Sequence, residues 1–279
     1  MLKWLFNFFI YSNLFIAACA ILMVDQTSRL LLHEETDYYL AGFILFSTIC
    51  SYSFHWYLTS GSLIPSPRIE WLKKNKIVHA FLFFIGLAGA GYFFYYLLSF
   101  WFWLLIAAIA TFLYSAPKIP HPWFRALRKV AIGKTIFLAF IWMYVTTILP
   151  VIVSGHEWNG GFILFAISRF FLIYAIAILF DYRDRQDDKA AGVKSLITYL
   201  SEKSITRLFF FSIIVLTGTT LFMLCYDYSL LSAAILLIPG LITAALYNYA
   251  RRNFRDMFYY FVLDGLLAFS ALLMLIPGI

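Results

Sequence analysis

Charged residues are scarce in this chain of 279 residues, where they make up 13% against roughly 25% in soluble proteins. Cysteine is also scarce, and three residues are too few for a small disulfide scaffold. Apolar residues reach 63% and aromatic residues 21%, which excludes a disordered chain. A soluble fold must cover its core with polar groups, and too few are present here. The composition therefore predicts an integral membrane protein.

Uncharged runs divide the chain into predicted membrane-spanning helices. The longest run, residues 77–117, has 41 residues and would form about 60 Å of helix, twice the roughly 30 Å core of a bilayer. It must therefore hold two spans, with a turn near residues 97–100. The other predicted spans are residues 5–24, 38–60, 135–156, 158–180, 208–226, 228–250 and 257–279. The chain is predicted to be one all-α, polytopic membrane domain, 1–279, with nine transmembrane helices.

The cations alternate between loops as nine spans require. Nineteen of the 21 Lys and Arg residues fall at the amino end or in the loops after spans two, four, six and eight. By the positive-inside rule, the amino end and these loops face the cytoplasm, and the chain resides in the cell (inner) membrane. The surplus charge of +7 follows from this topology. We therefore expect membrane lipid as a partner and do not expect nucleic acid.

Four of the fourteen carboxylates lie within eight residues, in the segment DYRDRQDDKAAGVKSL that follows the sixth span. If the helix continues, Asp181, Asp184 and Asp188 share one face. Asp184 and Asp188 would lie one turn apart and could bind a magnesium ion with water and phosphate oxygens. A diphosphate would then bind at the membrane surface, with an apolar tail between the helices. The alternative is a solvated, self-neutralising loop, because three cations alternate with the acids.

A second group of polar residues follows the fourth span, in the segment YSAPK. Pro117 ends the helix, which places Tyr114 and Lys118 at the membrane surface. The phenol and the ammonium group could bind phosphate oxygens. The alternative is that both are interfacial anchors, as Tyr and Lys often are.

These motifs resemble those of the UbiA superfamily of intramembrane prenyltransferases, over essentially the whole chain. DxxDxxxDxxxG at Asp181, Asp184, Asp188 and Gly192 is similar to the family's second aspartate-rich motif, and YxxxK at 114–118 to its middle motif. The resemblance implies a UbiA-like bundle that transfers an isoprenyl group from an isoprenyl diphosphate to a lipophilic, commonly aromatic acceptor. It also implies that the three aspartates bind Mg²⁺ and act in catalysis, and that the tyrosine and lysine assist the diphosphate.

The first aspartate-rich motif of that family, NDxxDxxxD, is missing. It should follow the second span, but no carboxylate occurs between Asp37 and Glu70. His55 lies in that region, and we interpret it as a structural, hydrogen-bonded histidine rather than a substrate contact. The absence favours an alternative function, that of a catalytically degenerate relative which binds or carries a prenyl lipid or quinone.

One compensation for the missing motif is available in the loop after the second span. Arg68, Lys73, Lys74 and Lys76 could bind the diphosphate directly, which assigns substrate binding to Arg68 and Lys73 in particular. The alternative is a solvated loop that follows the positive-inside rule.

Two charges lie inside predicted spans, Arg169 in the sixth and Asp264 in the ninth. Charges at that depth normally face a cavity or each other. They could pair as a structural clamp or belong to an acceptor pocket, where Arg169 would bind substrate. A third functional hypothesis, an ion-coupled transporter, depends only on these two residues.

Overall fold

The structure, a computed structural model, describes residues 2–59, 66–119, 121, 123–124, 133–190, 192 and 195–276. All regular secondary structure of these residues is helical, as lipid requires, because a helix satisfies its own backbone N–H and C=O groups. The helices are α1 (Leu2–Tyr11), α2 (Leu14–Leu32), α3 (Tyr38–Tyr57), α4 (Pro67–Lys74), α5 (Lys76–Tyr96), α6 (Leu98–Lys118), α7 (Lys134–Ser154), α8 (Gly160–Ala190), α9 (Glu202–Tyr226), α10 (Leu230–Ala250) and α11 (Phe258–Met274).

Seven helices in the described part of the chain, α2 and α5 to α10, are long and apolar enough to cross a membrane. This confirms an all-α, polytopic membrane protein. The helices α3 and α11 coincide with the predicted second and ninth spans. However, α3 is rich in hydroxyl side chains and α11 is shorter than the seven, so the count of nine spans stays a prediction.

The two tightest predicted turns are confirmed. Leu97 separates α5 from α6, inside the long uncharged run. Asp227, in a left-handed conformation with φ 62°, separates α9 from α10. Local capping explains where several helices begin: the side chains of Asp37, Ser201 and Ser229 accept hydrogen bonds from backbone N–H groups in the first turns of α3, α9 and α10.

The bounds of the first predicted span, residues 5–24, are wrong. The helix breaks after Tyr11, and Asn13 adopts a left-handed conformation with φ 70°. Asn13 is fully buried and its side-chain oxygen accepts a hydrogen bond of 2.6 Å from Arg68. The membrane-spanning candidate begins at residue 14 and continues past Asp25, whose charge is paired with Arg29 at 2.9 Å.

Close helix packing encloses the interior on one side. A Cβ atom on Gly86 of α5 would lie 2.6 Å from the backbone nitrogen of Cys50 in α3, so this contact requires glycine. The outer surfaces of α5 and α6 carry exposed aromatic side chains, among them Phe84, Tyr95 and Trp101, as suits a surface in contact with lipid. Helix α8 is the most buried of the seven and packs against α7, α9 and α10.

Arg169 joins three helices at the site of a proline. Pro150 has no N–H, so the carbonyl of Thr146, four residues earlier in α7, loses its helical partner. Arg169 of α8 donates to that carbonyl at 2.7 Å and to the carbonyl of Met23 in α2 at 2.8 Å. It also donates to the side chains of Thr27, Thr147 and Gln26. The buried charge is thereby surrounded by oxygen acceptors.

We therefore expect Arg169→Met to destabilise the protein by about 3 kcal/mol, because it leaves buried acceptors without a donor. Thermal unfolding in detergent measures the effect. Arg29→Met is the matched control: its side chain is 53% exposed and makes one ion pair within its own helix, which predicts a loss below about 1 kcal/mol. Equal losses in the two variants would contradict this structural role of Arg169.

Candidate active site

A cavity of about 1230 Å³ opens between helices α1 to α8 and α11. Most of its wall is apolar and aromatic, as in sites that bind lipophilic molecules. Ionisable groups concentrate where α6 ends, α7 begins and the acidic end of α8 lies, a region that we call the charged end. The charged side chains on the cavity wall are Arg68, Lys118, Lys134, Asp181, Arg183, Asp184, Asp187, Asp188 and Asp264.

The acidic segment is helical, as predicted, because α8 continues without interruption to Ala190. Contacts with a single side chain on α7 confirm that Asp181 and Asp188 share a face of the helix. The Nζ atom of Lys134, in the first turn of α7, lies 3.5 Å from a carboxylate oxygen of Asp181 and 3.2 Å from one of Asp188. Thr135 also donates a hydrogen bond to Asp181. The acids therefore face the cavity and a fixed cation rather than bulk solvent.

The three predicted metal ligands are not equivalent. Within the described residues, no three His, Cys, Asp or Glu side chains are close enough to hold a metal ion. Asp181 is bound by Thr135 and Lys134, and Asp188 by Lys134, whereas Asp184 has no hydrogen bond or ion pair in the described part of the chain. Magnesium needs only one or two carboxylates beside water and phosphate oxygens, and Asp184 with Asp188 fits that requirement.

The middle motif contributes to the same end of the cavity. Lys118 donates a hydrogen bond of 2.7 Å to the hydroxyl of Thr59, and its ammonium lies 5.8 Å from the ring of Trp56. Tyr114 stacks on His55, with ring centroids 5.4 Å apart. His55 in turn forms a hydrogen bond of 3.2 Å with Ser115. The histidine thus holds the tyrosine in place.

Arg68 reaches the cavity from α4. Its guanidinium lies between the rings of Trp56 and Tyr260, at 3.9 Å and 4.1 Å from their centroids. Arg183 forms a buried ion pair with Asp256, and Asp256 also accepts the backbone N–H of Arg68 at 2.7 Å. Within the described residues, one buried nitrogen of each arginine, Nε of Arg68 and one terminal nitrogen of Arg183, has no hydrogen-bond partner.

The other lysines of the same loop are placed differently. Lys73, Lys74 and Lys76 are exposed, and none of them lies on the cavity wall. The ammonium of Lys76 lies over the ring of Tyr57 at 4.5 Å. Helix α4 thus turns Arg68 inward and its last-turn lysines outward, so the compensation hypothesis is retained for Arg68 alone. Of the cations predicted after the fourth span, Arg125, Arg128 and Lys129 lie outside the described residues.

The two intramembrane charges do not pair. In the described part of the chain, Arg169 donates only to the residues around Pro150 and in α2 and is absent from the cavity wall. Asp264 does lie on that wall. Arg169 is thus bound within the protein, while Asp264 faces space that a substrate could fill.

Three important residues were not assigned from the sequence. In the sequence, Lys134 is only one of the cations in the loop after the fourth span, whereas in the structure it contacts two of the acids. Arg183 lies inside the acidic segment, and its alternation with the acids was the available signal. Asp256, its buried partner, is separated from it by two helices, so no local pattern could identify it.

The UbiA prenyltransferase family matches residues 59–271, about three quarters of the chain, and the match includes all nine charged residues of the cavity wall. No curated protein and no solved structure matches this chain significantly. The family match includes both recognised motifs, at residues 114–118 and 181–192. The chain therefore belongs to the UbiA prenyltransferase family.

Proposed function

We propose that this protein transfers an isoprenyl group from an isoprenyl diphosphate to a lipophilic, aromatic acceptor within the membrane. Family membership implies intramembrane prenyl transfer with substrates of these two classes. One observation supports the site most strongly: a large apolar cavity has cations and carboxylates gathered at one end. The apolar part would take the isoprenyl chain, and the charged end would take the diphosphate.

Lys118, Arg68 and Tyr114 are the proposed diphosphate contacts. Lys118 and Arg68 are the cations that approach the cavity without an acidic partner on their side-chain nitrogens, and Tyr114 supplies a phenol beside them. Lys73 and Arg169, the other two candidates, are excluded from this proposal, since the Lys73 side chain is exposed and the Arg169 guanidinium is hydrogen bonded away from the cavity.

Magnesium is the proposed cofactor, held by Asp184 and Asp188. The cavity wall carries four cations and five acids, a formal charge of −1 that would repel a diphosphate. A divalent cation would reverse this balance. Bound there, it would stabilise the negative charge of the leaving diphosphate. We assign Asp181 a positioning role, because its contacts fix Lys134 between the acids.

The residues of this chain would then act as follows. Lys118 and Arg68 bind the diphosphate and donate hydrogen bonds to its oxygens as the bond to the isoprenyl carbon breaks. The rings of Trp56 and Tyr260 line the same region and can stabilise positive charge on the isoprenyl group. The apolar wall excludes water, which would otherwise capture the cation.

The charged end is proposed to face the cytoplasm in the cell (inner) membrane. The support is the distribution of the cations, nineteen of 21 of which fall on one predicted side. The diphosphate group of the substrate is water-soluble and its isoprenyl tail is not. This orientation would let the substrate enter from the cytoplasmic surface with its tail in the bilayer.

A carrier of prenyl lipids or quinones is the second candidate, favoured by the missing first motif. Equilibrium binding to the purified protein in lipid nanodiscs distinguishes the two. Geranylgeranyl diphosphate should bind at least about tenfold more tightly than geranylgeraniol, because the charged end is otherwise unused. Equal binding of the alcohol, together with no product from any phenolic acceptor, would support the carrier and contradict the transferase.

A further inference from the structure

We infer that Asp264 is a catalytic residue that binds the acceptor, accepting first a hydrogen bond and then the proton of an acceptor hydroxyl. The acceptor is accordingly a phenol or hydroquinone rather than a hydrocarbon. This inference rests on the proposed isoprenyl transfer but concerns a separate subsite, on α11 rather than on α8.

Asp264 lines the cavity and, like Asp184, has no hydrogen bond and no ion pair in the described part of the chain, but it lies on α11 rather than on α8. Asp256, the nearest acid along the chain, is engaged by Arg183 and by Ser66, whose hydroxyl donates at 2.9 Å. A carboxylate inside an apolar segment is costly unless it is hydrogen bonded. Arg169 meets that requirement within the protein, and Asp264 does not.

The position of Asp264 suits an acceptor that lies beside the isoprenyl group. It follows Tyr260 by one helical turn, and the ring of Tyr260 packs on Arg68 at the charged end. Burial lowers the pKa of Arg68, while the ring of Tyr260 and the charge of Asp264 oppose that shift, so Asp264 is an electrostatic neighbour of Arg68. Asp264 also lies eight residues further along the chain than Asp256, a depth on the order of 10 Å.

Aromatic side chains in the same cavity could pack against the flat ring of an acceptor. Tyr52 and Trp142 both line it, with their ring centroids 6.2 Å apart. The Trp142 indole donates to the Tyr52 hydroxyl at 3.2 Å, which leaves the Tyr52 proton free to donate. An acceptor with hydroxyl groups would thus meet both a proton donor and a carboxylate.

The proposed step balances as follows. A ring carbon of the phenol forms a bond to C1 of the isoprenyl group, and the C1–O bond breaks with its electron pair leaving on the diphosphate. The phenolic proton moves to the Asp264 carboxylate, and the O–H electron pair becomes the C=O of a dienone. Loss of the ring proton to water then restores the aromatic ring as a phenolate, which takes its proton back from Asp264, so that one proton is released for each isoprenyl group transferred and the carboxylate is regenerated.

Binding of 2-naphthol and of 2-methoxynaphthalene to the full chain in lipid nanodiscs tests the subsite without any diphosphate. The wild type should bind the naphthol about tenfold more tightly, because only it can donate to a charged acceptor. Asp264→Leu and Asp264→Asn should each reduce this preference to less than about threefold. Asp227→Asn, in an exposed turn, is the control and should retain it.

The rate of isoprenyl transfer is the second measurement. Asp264→Asn should lower kcat by about 100-fold while its Kd for geranylgeranyl diphosphate stays within twofold of wild type, and Asp264→Glu should recover part of the loss. Equal affinity for naphthol and its methyl ether in the wild type, or an unchanged preference in both variants, overturns the inference. A wild type that prefers naphthol through Asp264 but binds no isoprenyl diphosphate instead overturns the transferase proposal and leaves the subsite intact.

Discussion

Replacing Asp184 and Asp188 together with asparagine should reduce the rate of isoprenyl transfer by about 10³-fold or more, since stabilisation of the leaving group is usually the largest single contribution to such a reaction. The two carboxylates lie on one face of α8 and line the cavity. Asparagine keeps their size but removes the charge that a hard cation requires. The rate of product formation from labelled geranylgeranyl diphosphate measures the effect.

Removal of divalent cations with EDTA should have the same consequence for the wild type, and added magnesium should restore transfer. The matched control is Asp227→Asn, which removes a carboxylate from an exposed turn and should leave the rate unchanged. Turnover within tenfold of wild type in the double variant would contradict the assignment of Asp184 and Asp188.

Replacing Lys118 with methionine should weaken the binding of isoprenyl diphosphate by about 100-fold, the loss expected when one partner of a desolvated charge pair is removed. The Lys118 ammonium lies in the cavity wall, where its hydrogen bond is to the neutral hydroxyl of Thr59. Methionine retains the length and the apolar stem of the side chain. Titration of the variant with geranylgeranyl diphosphate gives the change in Kd.

Lys73→Met provides the contrast, because Lys73 carries the same charge on the exposed side of α4. We expect its Kd to stay within twofold of wild type. If Lys73→Met weakens binding as much as Lys118→Met does, the diphosphate binds at the loop surface, as the compensation hypothesis first suggested, and not at the charged end of the cavity.

The sequence predicted those parts of the molecule that depend on neighbouring residues. Uninterrupted apolar runs predicted the helices, and the turns at Leu97 and Asp227 lie where the charge pattern and the bilayer thickness required them. The spacing of Asp181 and Asp188 predicted a shared face, and both acids contact the same Lys134. Helical periodicity is a local property, so it could be recognised in a single chain.

The errors arose where distant segments meet. The break at Asn13 depends on a hydrogen bond from Arg68, 55 residues away, and hydrophobicity alone indicated a continuous span. Arg169 is bound by a carbonyl that Pro150 leaves free in another helix, a contact that no local sequence pattern could predict. The direction of each loop cation was also undetermined: Arg68 points inward and Lys73 outward from the same short helix.

The central claim is that the protein itself joins the isoprenyl group to a phenolic acceptor and releases diphosphate. Purified protein in liposomes, incubated with labelled geranylgeranyl diphosphate, 2-naphthol and magnesium, tests it in one measurement. We predict one diphosphate released for each geranylgeranylated naphthol formed, and neither product from the Asp184→Asn, Asp188→Asn double variant. Saturable binding of the diphosphate with no covalent product from 2-naphthol or other phenols would contradict the claim.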